Sequence, residues 1–154
     1  VRLRVEALGQ DIVARQLLAM ADRTGDASGA MQGIIDGLYE SERRLFDSQG
    51  ASGGVPWQAS APSTVERKAR LGLDPRIEHA TQDLRDSLTT PGGANIAIAR
   101  RDGVTFDTAI RYARWQPNPL VSPTEAERRD WVKIVQRWIV DGDASRGGIL
   151  GGIF

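Results

Sequence analysis

The side chains able to do chemistry are few and scattered. His79, next to Glu78, is the single histidine, and the chain has no cysteine. That absence rules out thiol nucleophiles, disulfide frameworks and Cys-ligated zinc. One imidazole also leaves little room for His-rich metal sites or Ser–His catalysis, and a lone histidine without a second ligand is usually structural or solvated. Two carboxylate pairs occur, Asp83 with Asp86 and Asp141 with Asp143. Paired acids do general acid–base work only when burial separates their pKa values. Both pairs sit in polar or terminal surroundings, so solvated charge is the expectation. Ser52-Gly-Gly54 lacks the strand-to-helix context of a phosphate cradle, and neither G-x-x-x-x-G-K-[ST] nor a helix-opening G-x-G-x-x-G is present. The basic cluster Arg67, Lys68, Arg70 and Arg76 reads first as a solvated face. Contact with phosphates, as in the lining of a pore that DNA passes through, is the second reading. No nucleophile–base–orienter set emerges, and neither cofactor nor metal is expected.

Composition narrows the class further. A chain of 154 residues with 40% hydrophobic residues suits one compact core that needs no disulfide or metal staple. The 20 basic and 20 acidic side chains cancel, unlike the strongly basic balance of a dedicated nucleic-acid binder. No apolar run approaches the roughly 18 residues that span a bilayer, and no signal-peptide core opens the chain, so no membrane partner is expected.

The elements that must position these residues follow from periodicity. Val1-Arg-Leu-Arg-Val-Glu-Ala7 alternates apolar and charged side chains, which predicts a half-buried strand. Asp11 is placed to cap a short helix carrying Ile12, Val13, Leu17, Leu18 and Ala21. A longer helix is predicted from about Ala27 to Phe46, with Met31, Ile34, Ile35, Leu38, Leu45 and Phe46 on one stripe. Gly33 and Gly37 inside it imply a close neighbour, since each costs about 0.8–1 kcal/mol against alanine. Ser63 and Glu66 fit a capping box for a short basic helix. Residues 77–90 read as helix or turn, with Thr81 or Asp83 as the cap. Asn95–Ala99 and Val104–Thr108 flank Asp-Gly, a hairpin signal, and Ala109–Trp115 is a candidate third strand. Ser122, Pro123 and Glu125 predict the cap, first residue and capping-box partner of a last helix, which bears Trp131, Ile134, Val135, Trp138 and Ile139 and ends at Gly142.

Three stretches stand outside this regular pattern. The Gly/Pro loop 47–62 carries Pro56 and Trp57; an apolar ring there pins the loop to the core as the main reading and meets a partner as the second. The connector 116–123 holds Pro117, Pro119 and Leu120 and must be extended. The tail 143–154 spaces Ile149, Leu150, Ile153 and Phe154 with glycines. It reads either as a frayed terminus or as an arm that orders on a neighbouring subunit.

Between Phe46 and Val121 the order of landmarks resembles the phage virion morphogenesis family of tail-completion and neck proteins. The landmarks are Phe46, Gly53-Gly54-Val55-Pro56-Trp57, Ser63-Thr64, Lys68, Thr81-Gln82-Asp83-Leu84-Arg85-Asp86-Ser87, the hairpin Asn95–Thr108, Tyr112-Ala113 and Pro117-Asn118-Pro119-Leu120-Val121. Gln82 stands where the family has Gly, Gln116 near its usual His, and Asn118 in place of its usual Arg. The resemblance implies a non-catalytic structural virion protein, made in the bacterial host cytoplasm and placed at the neck or tail. Its implied partners are copies of itself in a ring, a head-side connector or stopper, and tail terminator or tail tube proteins, with transient non-specific contact to DNA in the lumen. A tail terminator or minor tail protein is the alternative within the virion; a small hydrolase or nucleic-acid-processing factor is the alternative of another class.

The expected fold is α+β: one domain over 1–142, with a small, mainly antiparallel sheet packed by a long central helix and a C-terminal helix, followed by the Gly-rich arm 143–154. Interface candidates are Pro56, Trp57, Arg67, Lys68, Arg70, Pro117, Pro119, Leu120, Ile149, Leu150, Ile153 and Phe154. The preference for arginine, 18 against 2 lysines, favours planar hydrogen-bonded contacts at such surfaces, although GC-rich coding would produce the same bias.

Overall fold

A computed structural model describes residues 10–76 and 82–144. The expected strand Val1–Ala7, together with Glu78, His79, Thr81 and the tail residues Ile149, Leu150, Ile153 and Phe154, lies outside the described residues. Within them the fold is α+β: five α-helices and one two-stranded antiparallel sheet. In order they are α1 (Gln10–Gly25), α2 (Ser28–Asp47), α3 (Pro62–Arg70), α4 (Asp83–Thr89), β1 (Asn95–Arg100), β2 (Gly103–Thr108) and α5 (Glu125–Asp141).

Helix α2 is the spine. Its apolar stripe buries Ala30, Ile34, Ile35, Leu38, Leu45 and Phe46. One face receives α5, which runs antiparallel: the Trp138 ring lies on Gly29 and Ile134 on Gly33. A Cβ at Gly29 would overlap the Trp138 ring, and one at Gly33 would meet the Ala144 carbonyl, so here glycine is what lets the two helices approach. The hairpin lies on another face of α2. Its register, Ala97 opposite Phe106 and Ala99 opposite Val104, turns these four residues to the same side. Val104 and Phe106 there join the α2 core, while Ile96 and Ile98 occupy the outer face, where Ile98 is 44% exposed.

Two apolar clusters result. Leu45, Phe46, Trp57, Leu84 and Leu88 form one; Ala30, Ile34, Leu38 and Ile134 form the other. Phe106 and Val121 pack against both, so they join the two into a continuous core. Polar bonds fix α4 to its neighbours. Arg43 gives two hydrogen bonds to the Thr89 carbonyl at 3.1 and 2.8 Å, and the Thr108 hydroxyl reaches the Ser87 hydroxyl at 2.7 Å.

Several local expectations are corrected. Asp11 lies inside the first turn of α1 instead of capping it, where its charge favours the helix dipole. At α3, Pro62 takes the first helical position, its fixed φ suited to that site, and Ser63 is already helical, so the Ser63–Glu66 box does not form. Asp83 is the first residue of α4, behind a left-handed Gln82 with φ 62°. Ala109–Trp115 adds no strand. The Thr108 hydroxyl takes the Ile110 N–H, the Ile110 carbonyl takes the Ala113 N–H, and Arg111–Trp115 closes into a 3-10 turn. The cap of α5 is Thr124, two residues beyond Ser122: Thr124 and Glu127 exchange the reciprocal capping-box bonds, and Gly142 ends the helix in a left-handed conformation.

Candidate functional site

The two long irregular segments, separate in sequence, form one structure. Loop 47–62 opens with Gly50 at φ 87°, a left-handed turn whose missing side chain leaves room for the Trp57 ring and the Val55 carbonyl. Trp57 is buried and meets Phe46 edge-on, 5.1 Å between centroids. Its N–H bonds the Gln49 carbonyl at 2.8 Å, closing the loop on itself. The indole N–H then donates to the Pro119 carbonyl at 3.3 Å, and Asn118 Oδ1 accepts the Gln58 N–H at 3.0 Å. Connector 116–123 is thus stitched to the loop on both sides of Trp57. Pro56, Pro117 and Pro119 stay exposed on the resulting surface, while Leu120 and Val121 turn into the core.

Beneath the connector lies a carboxyl group. Glu42 is 1% exposed, on the apolar stripe of α2 between Leu38 and Leu45. Burial pushes its pKa up to about 7; the Val121 N–H opposes the rise and the charge of Glu127 adds to it. Its Oε2 has no hydrogen-bond partner among the described residues. Val121, which supplies the N–H, sits at φ 54°, a left-handed conformation that costs a β-branched residue free energy unless its surroundings enforce it. Glu127 behaves differently. Burial alone would raise its pKa, but hydrogen bonds from Ser41, Thr124 and Arg44 hold it below the usual carboxylate value. Its 2.8 Å ion pair with Arg44 ties α5 to α2.

The other sequence candidates separate. Arg67 and Arg70 face solvent on α3. Lys68 is buried and donates to the Arg76 carbonyl at 2.7 Å, while Arg76 pairs with Asp74 at 2.6 Å. The basic cluster is therefore split, two members closing their own loop. Asp83 and Asp86 are exposed, with Arg85 3.8 Å from Asp86. Among the described residues no group of three His, Cys, Asp or Glu side chains is placed to hold a metal, and no helix is long and apolar enough to cross a membrane.

Sequence reasoning passed over Glu42, although its position signalled it. An acid four residues after Leu38 and three before Leu45 lies on the buried stripe of a helix. The chemistry of this site is positional: a buried acid, a strained residue and a pinned tryptophan hold an irregular surface in one shape. The chain matches no family model, no curated protein and no solved structure.

Proposed function

We propose that this protein is a non-catalytic structural subunit of a tailed-phage virion, a neck or tail-completion protein that works in an oligomeric ring. The observation that carries the reading is the convergence of landmarks that are scattered in sequence. Phe46, Trp57 and Leu84 share one apolar cluster, and Leu120 and Val121 pack on it. Asn118 and Pro119 bond the Trp57 loop. Ser87 reaches the hairpin. Several residues whose order resembles that of the virion morphogenesis family thus hold the proline surface of loop and connector. A surface fixed in this way suits contact between proteins, because little ordering entropy remains to be lost on binding. Zero net charge permits dense packing of copies without self-repulsion.

The partners under this reading are copies of the chain, a head-side connector or stopper, and tail terminator or tail tube proteins. The test is made on particles. Mass spectrometry of purified virions should find the chain at ring-like copy number, and a lysate of phage lacking it should hold filled heads and unattached or unfinished tails. Absence of the chain from particles, or normal virions without it, refutes the reading.

A further inference from the structure

Helix α1 carries its large aliphatic side chains in water. Ile12, Val13, Leu17 and Leu18 are 57%, 55%, 60% and 66% exposed. Its hold on the body is at the last turn, where Arg23 donates to the Ile139 and Val140 carbonyls at 2.8 and 2.7 Å. A helix of this length is marginal alone in water, and an amphipathic one is normally covered along its apolar stripe. Val13, Leu17 and Met20 stand at i, i+4 and i+7, the anchor spacing of a helix that lies in a groove. At 100° per residue, Asp11, Arg15 and Asp22 fall on the opposite side together with Leu18, and Ile12 lies about a quarter turn from Val13; the stripe itself holds exposed Val13 and Leu17 and half-buried Met20.

A groove of matching character lies between α2, β2, the connector and α5. It encloses about 380 Å³ and is lined by apolar side chains, chiefly Met31, Ile34, Leu38, Val104, Phe106 and Trp131. At about 30 Å³ for each water-sized group, that space holds roughly a dozen atoms, close to what the side chains of Val13, Leu17 and Met20 bring together. The helix cannot reach the groove of its own chain without being released from α5. The Arg23 bonds pin its last turn, while the Ala27 N–H bonded to the Arg101 carbonyl at 3.0 Å and the Trp138 indole bonded to the Asp26 carbonyl at 3.1 Å fix the junction with α2.

We infer that α1 of one copy docks through Val13, Leu17 and Met20 into the α2–β2–α5 groove of the next copy. The inference rests on the ring reading for its occupant, a second copy of the chain. Donor helix and acceptor groove are different surfaces, so the contact is head-to-tail, the kind that closes into a ring when the rotation allows.

The test uses the purified chain in a light-scattering concentration series. Wild type should associate, and Leu17→Glu, an exposed change that leaves the fold intact, should be monomeric. Met31→Trp, which fills the groove, should be monomeric too. Mixing the two variants should give a species of two chains and nothing larger, because each pair keeps one intact helix and one intact groove. If Met31→Trp unfolds, the double variant Leu17→Cys/Met31→Cys, in a chain otherwise free of cysteine, should form oxidised dimers and higher species linked between copies. A wild type that stays monomeric at every concentration, association unchanged by Leu17→Glu, or a crosslink formed within one chain overturns the inference. If Leu17→Glu associates normally yet the chain is found in virions, docking fails and the ring reading stands. If docking occurs but virions lack the chain, the reverse holds.

Discussion

Replacing Glu42 with glutamine should stabilise the protein at about pH 8 and slightly destabilise it at about pH 5. The folded protein raises the Glu42 pKa from 4.5 to about 7. At 1.36 kcal/mol per pH unit that gap is worth about 3 kcal/mol. The sign follows from proton uptake: between the two values the folded chain holds a proton that the unfolded chain has lost. Stability from this group is therefore complete below about pH 4.5, declines as pH rises through about 7, and is absent above. Glutamine stays neutral throughout and its carbonyl can still accept the Val121 N–H, but its amide points into the place of an Oε2 that has no partner among the described residues, at a cost of about 1 kcal/mol. The variant should then exceed wild type by about 2 kcal/mol at high pH and fall about 1 kcal/mol below it at low pH. Urea unfolding across this range, with unchanged slope in denaturant, measures both. Titration of groups that do not interact with Glu42 cancels in the difference between the two proteins. A variant that loses the same stability at both ends of the range refutes the burial argument.

Three further outcomes follow from packing and caps. Trp57→Ala should cost about 3–5 kcal/mol in urea unfolding, because it removes a buried ring from Phe46 and the stitch to Pro119 together. Thr124→Ala should cost about 1 kcal/mol, whereas Ser122→Ala should stay within about 0.5 kcal/mol, which separates the observed cap of α5 from the one expected from sequence. Gly29→Ala, normally favourable in a helix, should instead lower stability by about 1–3 kcal/mol as its methyl group meets the Trp138 ring, read as a drop in thermal midpoint.

Periodicity made the helices legible. The α2 stripe from Met31 to Phe46 and the α5 stripe from Trp131 to Ile139 are dictated by the need to bury one face, which no local competitor overrides. Glycine at 33 announced the close approach that α5 and Ala144 make there. Caps were less legible, because two overlapping patterns precede α5 and local spacing alone does not choose between them. Thr124 prevails, its hydroxyl accepting the Glu127 N–H while the Glu127 carboxylate accepts the Thr124 N–H. The third strand did not form because the chain turns away after Ala109: the Thr108 hydroxyl accepts the Ile110 N–H and Arg111–Trp115 closes into a 3-10 turn. Trp57 was legible as an anchor, yet its bond to Pro119 was not, since contacts more than 60 residues apart leave no local trace. For α1 the helix was legible and its exposure was not. An apolar stripe announces that something must cover it, without saying from which direction.

The bonds that seat α1 have a temporal side. Arg23 and Asp26 are held by Ile139, Val140 and Trp138, more than 110 positions downstream. On a ribosome, which releases the N-terminal part first, these partners arrive only when α5 has emerged. Trp131, a wall of the apolar groove, arrives with it. A nascent chain therefore has α1 before the carbonyls that seat it, and an apolar groove that still lacks one wall.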